Sequence, residues 1–180
     1  MSGPERRALH PLLLEREYWG NRLRELHLAR PSVLLIPRPE LSNATVEVDE
    51  FRVRMHDGIR LFGLRAQSRV HGSAPTVRVR MLGPCDSPEI DRQALSEGGC
   101  EFVFQEVAGR RLEDRVMDVL RVCHLAASQD GGLASKVRLV PEIGTSEPDE
   151  FLIASQLLAE ELDSRSLAPF ASEDETAGLN

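Results

Sequence analysis

A serine at the centre of a tight turn is the residue of this sequence best placed to do chemistry. Ser146 lies in G-T-S-E-P, between the short apolar run 137–140 and an amphipathic helical pattern that begins near Phe151. Strand, sharp turn and helix is the layout of a nucleophile elbow, in which a strained backbone projects the serine hydroxyl above the sheet. Such a turn needs small residues two positions before and after the serine. Gly144 meets the first requirement, whereas Pro148 stands in place of the second glycine.

A structural role explains the same residues without chemistry. Ser146 is suited to be a helix N-cap, and Asp149 follows three residues later, close to the capping-box pattern. In the catalytic alternative, serine needs a neighbouring base to act as a nucleophile at neutral pH. No histidine follows His124, and His56 and His71 fall in segments expected to be exposed loops. Both interpretations of the serine stay open at this point.

The charge of the chain argues against a nucleic-acid partner. The 180 residues carry a formal net charge of −7, and Lys136 is the only lysine among 22 basic residues. The arginines alternate with carboxylates, as in R-L-E-D-R at 111–115, whereas a nucleic-acid surface would gather them on one basic face. We therefore expect solvated helix faces. The acidic loop with Asp86, Glu89 and Asp91 could hold a cation, but carboxylates near a helix N-terminus are the simpler interpretation.

Cysteine usage and hydropathy narrow the class of protein further. Cys85, Cys100 and Cys123 are odd in number and show no C-x-x-C spacing, so no metal site or disulfide framework is predicted. The sequence has no phosphate-binding glycine fingerprint, and no cofactor is expected. No apolar stretch is long enough to cross a membrane, and the N-terminus lacks the pattern of a signal peptide. These features predict a cytoplasmic protein without a membrane partner.

Apolar periodicity divides residues 1–162 into alternating elements, followed at 163–180 by an acidic tail that we expect to be disordered. The patterns indicate helices over 12–28, 88–97 and 112–128 and from Phe151, and strands at 46–55, 59–64, 76–82, 100–107 and 137–140. The order is a helix, an antiparallel hairpin and then β-α-β-α-β-α. It predicts one α/β domain, a three-layer sandwich with a mostly parallel sheet and an N-terminal antiparallel hairpin.

Two N-terminal motifs carry a resemblance to a known family. Tyr18-Trp19 followed by L-R-E-L resembles an aromatic-Trp helix at the start of that family. V-E-V-D-E-F-R-V-R-M-H-D-G-I-R-L-F-G-L resembles its first hairpin, with an Asp-Gly turn at Asp57-Gly58 and a glycine, Gly63, in the second strand. The family is that of the acetyl xylan esterases and cephalosporin-C deacetylases, a branch of the α/β-hydrolases.

Further motifs follow in the same order, so that residues 12–162 resemble the first half of the family. A-P-T-V-R-V-R-M-L-G is similar to the strand before its His-Gly-Tyr-Gly-Gly loop. G-G-C-E-F-V-F-Q-E-V-A-G-R is similar to the next strand and its Asp-x-Arg-Gly ending, with Glu106 for the Asp and Gly109 for the Gly. V-R-L-V-P-E-I-G-T-S resembles the strand that enters the elbow.

The resemblance implies roles for three residues. Ser146 is the nucleophile equivalent, and the backbone N–H of Glu147 is one oxyanion donor. The other donor would come from the loop after strand 76–82, where Pro84 has no N–H to give. Loss of one such donor typically costs roughly 2.7–4 kcal/mol of transition-state stabilisation. The triad Asp and His normally follow the elbow helix, and the sequence ends soon after it. The resemblance therefore implies a truncated, esterase-like homologue with little or no hydrolytic activity.

Two structural expectations follow from hydrolase descent. The Cys100 strand should lie between the hairpin and the Thr76 strand, with Val137 on the far side of Thr76. Because no strand is predicted after 137–140, the outer edge of that strand should be open, and we expect self-association or a partner strand there. The alternative function is a non-enzymatic α/β interaction or regulatory domain.

Overall fold

The described residues form six strands and three helices. They comprise 16–28, 32–55, 57–70, 76–96, 98–129, 137–140 and 149–167 of a computed structural model. In chain order the elements are α1 (Arg16–Leu28), β1 (Ser32–Pro37), β2 (Val46–Arg54), β3 (Arg60–Ser68), β4 (Val77–Leu82), β5 (Cys100–Gln105), α2 (Leu112–Gln129), β6 (Val137–Leu139) and α3 (Asp149–Leu167). No helix among these residues is long and apolar enough to span a membrane.

The strands form one sheet in the order β1-β2-β3-β5-β4-β6. Strands β1, β2, β3 and β5 pair antiparallel with one another in that order, and β4 pairs parallel with both β5 and β6. It follows that β2, β4, β5 and β6 run in one direction and β1 and β3 in the other. The strand order is the one expected of hydrolase descent. The α/β class with an N-terminal antiparallel hairpin is thus confirmed.

The helix predicted over 88–97 is wrong, because this segment forms turns instead. The Asp91 carboxylate accepts a hydrogen bond from the Ala94 N–H at 3.0 Å, and the Leu95 N–H reaches the Asp91 carbonyl at 3.3 Å. Gly98 follows with a φ of 104°, a left-handed conformation that ends helical geometry. The segment therefore begins a single turn and stops before a helix can propagate.

Two other boundaries differ from the sequence-based expectation. The proline-rich connection contains β1, which pairs with β2 along its whole length from Ser32 to Pro37. Its run S-V-L-L-I-P is apolar enough to join the sheet as an edge strand. Helix α3 continues to Leu167, so residues 163–167 of the predicted tail are helical. The remainder of that tail lies outside the described residues.

One face of the sheet carries the main core. Along β5, and along β2 from Asp49 onward, every second side chain points to this face and is buried, including Phe51, Phe102 and Phe104. These side chains pack with Trp19 of α1 and with the apolar residues of α2 and α3. All three helices therefore contribute to one layer over this face, which we call the helix face.

The opposite face is covered over only part of its length. Val48 and Ala66 pack against Leu95 of the turn segment 91–98 near the amino ends of β2 and β5. Within the described residues, turns rather than a helix thus form the second covering layer of the predicted three-layer sandwich. Toward the other end of β2 this face is open, and Phe62 is 46% exposed.

Candidate functional site

The parallel strands place the ends of β4, β5 and β6 at one edge of the sheet. Because these strands run in the same direction, their last residues lie at the carboxyl edge, where open α/β sheets bind ligands. Residues 141–148, which follow β6 in the sequence and include Ser146 and Glu147, lie outside the described residues. Their predicted roles as nucleophile and oxyanion donor therefore stay predictions. Helix α3 begins at Asp149, three residues after the serine.

The loop after β4 is a tight turn that contains Pro84. The Asp86 N–H donates to the Gly83 carbonyl at 3.1 Å, and the side-chain amide of Gln105 donates to the Asp86 carbonyl. A Cβ at position 83 would lie 2.7 Å from a carboxylate oxygen of Asp86, so a larger residue there would displace this exposed side chain. Pro84 is exposed at the second position of the turn. The position implied for the first oxyanion donor thus carries no N–H.

The loop after β5 is tied to α2 and α3 through Arg115. Its guanidinium lies 3.0 Å from a carboxylate oxygen of Glu106 and 3.6 Å from one of Glu150. Glu150 is buried in the first turn of α3. The Glu106 N–H also donates to the Leu82 carbonyl at 2.8 Å, which joins the ends of β4 and β5. These contacts hold the start of α3 beside both loops.

A second arginine joins the β2–β3 turn to α2. The guanidinium of Arg110 forms two contacts with the Asp118 carboxylate, at 2.7 and 2.8 Å, and donates to Asp57 at 2.6 Å. Arg110 and Asp118 are both almost fully buried. Burial raises the pKa of the Asp118 carboxyl to about 7, and the neighbouring Arg110 offsets this shift only in part. The hairpin turn is therefore held at the carboxyl edge by a buried ion pair.

These groups position loops, and their polar atoms are engaged with one another. His124 lies in the middle of α2, twelve residues and roughly 18 Å along the helix from its start at the carboxyl edge. His56 and His71, the other histidines considered for an unusual arrangement, lie outside the described residues. The described part of this edge thus brings together arginine–carboxylate pairs.

The acidic loop considered as a cation site has a structural role at Asp91. A hydrogen bond from the Ala94 N–H lowers the pKa of this carboxyl, with a further contribution from Arg78, whose guanidinium lies 3.2 Å away. Among the described residues, no group of three or more His, Cys, Asp or Glu side chains could hold a metal ion. Asp91 therefore serves to close the turn over the sheet.

Sequence reasoning missed the buried arginines at this edge. The run R-L-E-D-R was interpreted as a solvated helix face, which fits the 84% exposed side chain of Arg111 but not Arg115. A signal was present in Asp118, which is flanked by the buried residues Met117 and Val119. A carboxylate between apolar neighbours at core positions predicts a cationic partner, since a buried charge must be paired.

Comparisons with known proteins support the fold and leave the family open. No protein-family model and no curated protein matches the sequence. Acetyl xylan esterase from Paenibacillus sp. R4 is similar in structure, with a TM-score of 0.55 and 11% identity over 69% of this chain and 50% of that one. Acetyl xylan esterase 1 from Thermoanaerobacterium sp. JW/SL YS485 has a TM-score of 0.55 and 13% identity over 70% of this chain and 49% of that one.

The chain thus spans about half the length of these solved esterases. At such low identity the likeness concerns the fold alone. Together, the sheet order and the comparisons define an esterase-like α/β fold.

Proposed function

We propose that the chain is an esterase-like protein of the α/β-hydrolase fold whose 180 residues have little or no hydrolytic activity. The strand order and the two similar acetyl xylan esterases support the scaffold. The observation that carries the loss of activity is Pro84, at the end of β4. Acetyl xylan and related acetylated carbohydrates are the substrate class that the scaffold would have served.

The chemistry explains why this proline matters. Hydrolysis of an acetyl ester places negative charge on the carbonyl oxygen, and backbone N–H groups aimed at that oxygen stabilise it. Pro84 removes one such donor, and the Asp86 N–H two residues later is already bonded to the Gly83 carbonyl. Loss of one donor lowers the turnover rate by roughly 10²–10³-fold.

The carboxylates at the same edge do not replace the missing chemistry. Glu106 is paired with Arg115, and Asp118 is paired with Arg110 at two oxygens. A general base must reach the serine proton, and these carboxylates instead fasten loops to α2. We infer that the network conserves the shape of the edge without serving a reaction.

The test is hydrolysis of 4-nitrophenyl acetate by the purified chain and by Ser146→Ala. We expect equal rates, and no labelling of Ser146 by a fluorophosphonate in intact mass spectra. Ser155→Ala, which removes a hydroxyl from α3, is the matched control for nonspecific effects. A Ser146-dependent rate at least tenfold above the variant would overturn the proposal.

A second variant separates the two causes of inactivity. Pro84→Ala restores an N–H at the end of β4 while leaving the rest of the loop sequence intact. If Ser146 has no base, the rate of this variant stays at background. If Pro84→Ala instead gains a rate that Ser146→Ala abolishes, the remaining machinery is present and the proline alone suppresses it.

We propose a non-enzymatic interaction domain as the second candidate function. The observation that favours it is the open part of the sheet face opposite the helices, where Leu34 is 53% and Phe62 is 46% exposed. Exposed apolar side chains grouped on one surface mark interaction sites more often than scattered ones do.

A further inference from the structure

The open part of the second sheet face is an ordered surface of five residues, which we call the open patch. The strand register places Leu34 opposite Arg52 and Arg52 opposite Phe62, in one row across β1, β2 and β3. Arg54 and Arg60 lie opposite each other in the next row toward the carboxyl edge. The first row has an apolar side chain on each side of Arg52, and we call it the apolar row; the second row consists of two cations.

The two rows differ in whether their arginines have an ionic partner. Arg52 donates to Glu50 at 2.6 Å and lies over the Phe62 ring, 5.7 Å from its centre. Arg54 and Arg60 are exposed and form no ion pair with any described residue. Like charges directly opposite each other in a sheet are destabilising. An anionic group placed between these two arginines would remove that repulsion.

A groove of about 260 Å³ opens beside the apolar row. It is lined by Glu50, Phe62, Gly63, Leu64, Pro88 and Gln105. Pockets for drug-sized ligands have volumes of roughly 300–1,000 Å³, so this groove suits one large side chain better than a small molecule. An occupant should thus combine an apolar or aromatic side chain with carboxylates a short distance away.

The chain itself contains a segment of this composition. Residues 167–175 read L-A-P-F-A-S-E-D-E, with Phe170 three residues before the run Glu173, Asp174 and Glu175. We propose that the open patch binds this C-terminal segment of a second copy of the chain. Phe170 would enter the groove beside Phe62, and the carboxylates would meet Arg54 and Arg60.

The spacings of the two surfaces agree. Arg60 and Phe62 are two residues apart on β3, which corresponds to about 7 Å along the strand. Phe170 and Glu173 are three residues apart, about 10 Å in an extended chain. The flexible arginine side chains cover the difference. Two patches facing each other would instead bring six arginines together, and their repulsion opposes a symmetric contact between patches.

Distance assigns the segment to a second copy. Helix α3 starts at the carboxyl edge, and its 19 residues extend about 28 Å from there. From Leu167 to Glu173 an extended chain spans at most about 20 Å. A segment returning within its own chain would have to retrace the length of α3 and also pass to the other face of the sheet. The segment therefore reaches the patch of a neighbouring molecule.

Charge reversal with light scattering tests the proposal. We expect the molar mass of the full chain to rise with concentration and to fall with added salt, because the contact is ionic. Arg54→Glu with Arg60→Glu should weaken association at least tenfold. Glu173→Arg with Asp174→Arg and Glu175→Arg should do the same. A mixture of these two variants should associate again, because the acidic patch of one meets the basic segment of the other.

Two further variants show whether association depends on the open patch itself. Arg24→Glu with Arg111→Glu reverses two exposed charges, one in α1 and one immediately before α2, and should leave association unchanged. Phe62→Ala should weaken association without altering the fold, since its side chain is half exposed. A monomer at every concentration, or association that persists in both reversed variants, would overturn the inference. This outcome is independent of hydrolysis, because none of the substituted residues lies in the β4 or β6 loops.

Discussion

The two faces of the sheet belong to the same strands but are stabilised by different interactions. On the helix face, β5 presents Phe102 and Phe104, both fully buried under the helices. On the opposite face the same strand presents Glu101, which is also fully buried. Its neighbours on β4 are Arg78 and Arg80. One face is thus stabilised by apolar packing and the other by a buried ionic network.

The ionic network fastens the turn segment to the sheet. The Glu101 carboxylate lies 3.2 Å from the Arg80 guanidinium and 4.0 Å from that of Arg78, and it accepts a hydrogen bond from the Asp91 N–H at 2.9 Å. Arg78 also pairs with the Asp91 carboxylate. Since this segment has few apolar side chains, the ions provide the specificity that packing provides on the helix face. The difference predicts which substitutions each face tolerates.

The largest effect should come from truncating an aromatic side chain on the helix face. Phe102 is fully buried, and its ring lies 5.6 Å from that of Phe51. We expect Phe102→Ala to lower the free energy of unfolding by about 3–5 kcal/mol, because the cavity cannot collapse in a packed core. Phe62→Ala, on the open face, should change it by less than about 1 kcal/mol. Urea unfolding of both variants measures the contrast, and equal losses would contradict it.

A substitution in the ionic network should lower the free energy of unfolding by a slightly smaller amount. Glu101→Gln removes the buried counter-charge of Arg80 and leaves Arg78 with Asp91 alone, which should cost about 3 kcal/mol. The matched control is Glu47→Gln, whose partner Arg69 lies 3.8 Å away at an exposed position. That pair should contribute less than about 1 kcal/mol. A Glu101→Gln protein as stable as the control variant would show that the ions are dispensable.

The contrast between faces also explains what the sequence could predict. Apolar alternation and short apolar runs predicted every strand except β1, because packing follows residue type along the chain. The arrangement of Arg78, Arg80 and Glu101 depends on strand order, which places residues from two separate strands together. Likewise, the helix predicted over 88–97 was wrong because the Asp91 carboxylate accepts a hydrogen bond from the Ala94 N–H and closes a turn. Helix propensity alone does not predict such a bond. Pro84 was the exception, because the lack of an N–H is a property of the residue itself.

A third prediction concerns Asp118 of α2, whose carboxyl pKa burial raises to about 7. A raised pKa in the folded state means that the fold binds the proton more tightly than the unfolded chain does. Its stabilising effect is therefore complete below the ordinary value of 3.8 and is lost as the pH rises through 7. The free energy of unfolding should fall by about 1.4 kcal/mol between pH 6 and pH 8.

The control for this prediction is Asp118→Asn, which has no proton to lose at position 118. Between pH 6 and pH 8, the free energy of unfolding of this variant should fall by about 1.4 kcal/mol less than that of the unchanged chain. Urea titrations at pH 6, 7 and 8 compare the two proteins. If the slopes coincide, Arg110 holds the carboxylate ionised throughout and burial does not dominate.

The smallest effect on stability is expected at the end of the sheet, where β6 pairs with β4 and with no other described strand. The Val140 N–H donates to the Val79 carbonyl at 3.0 Å, so in a strand of alternating N–H directions the Arg138 N–H also faces β4. The Leu139 N–H then faces the outer side. This donor is the one that a partner strand along 137–140 would use.

Proline substitution at adjacent positions separates pairing within the sheet from pairing between molecules. Leu139→Pro removes the outward donor and part of a half-buried side chain, whereas Arg138→Pro removes a bond to β4, and each change should cost about 1 kcal/mol. If self-association uses this edge, it is insensitive to salt and disappears in Leu139→Pro. If it uses the open patch, Leu139→Pro associates as the unchanged chain does and added salt dissociates it. Light scattering at two salt concentrations therefore decides which surface joins the molecules, since backbone pairing and ionic pairing respond oppositely to the two changes.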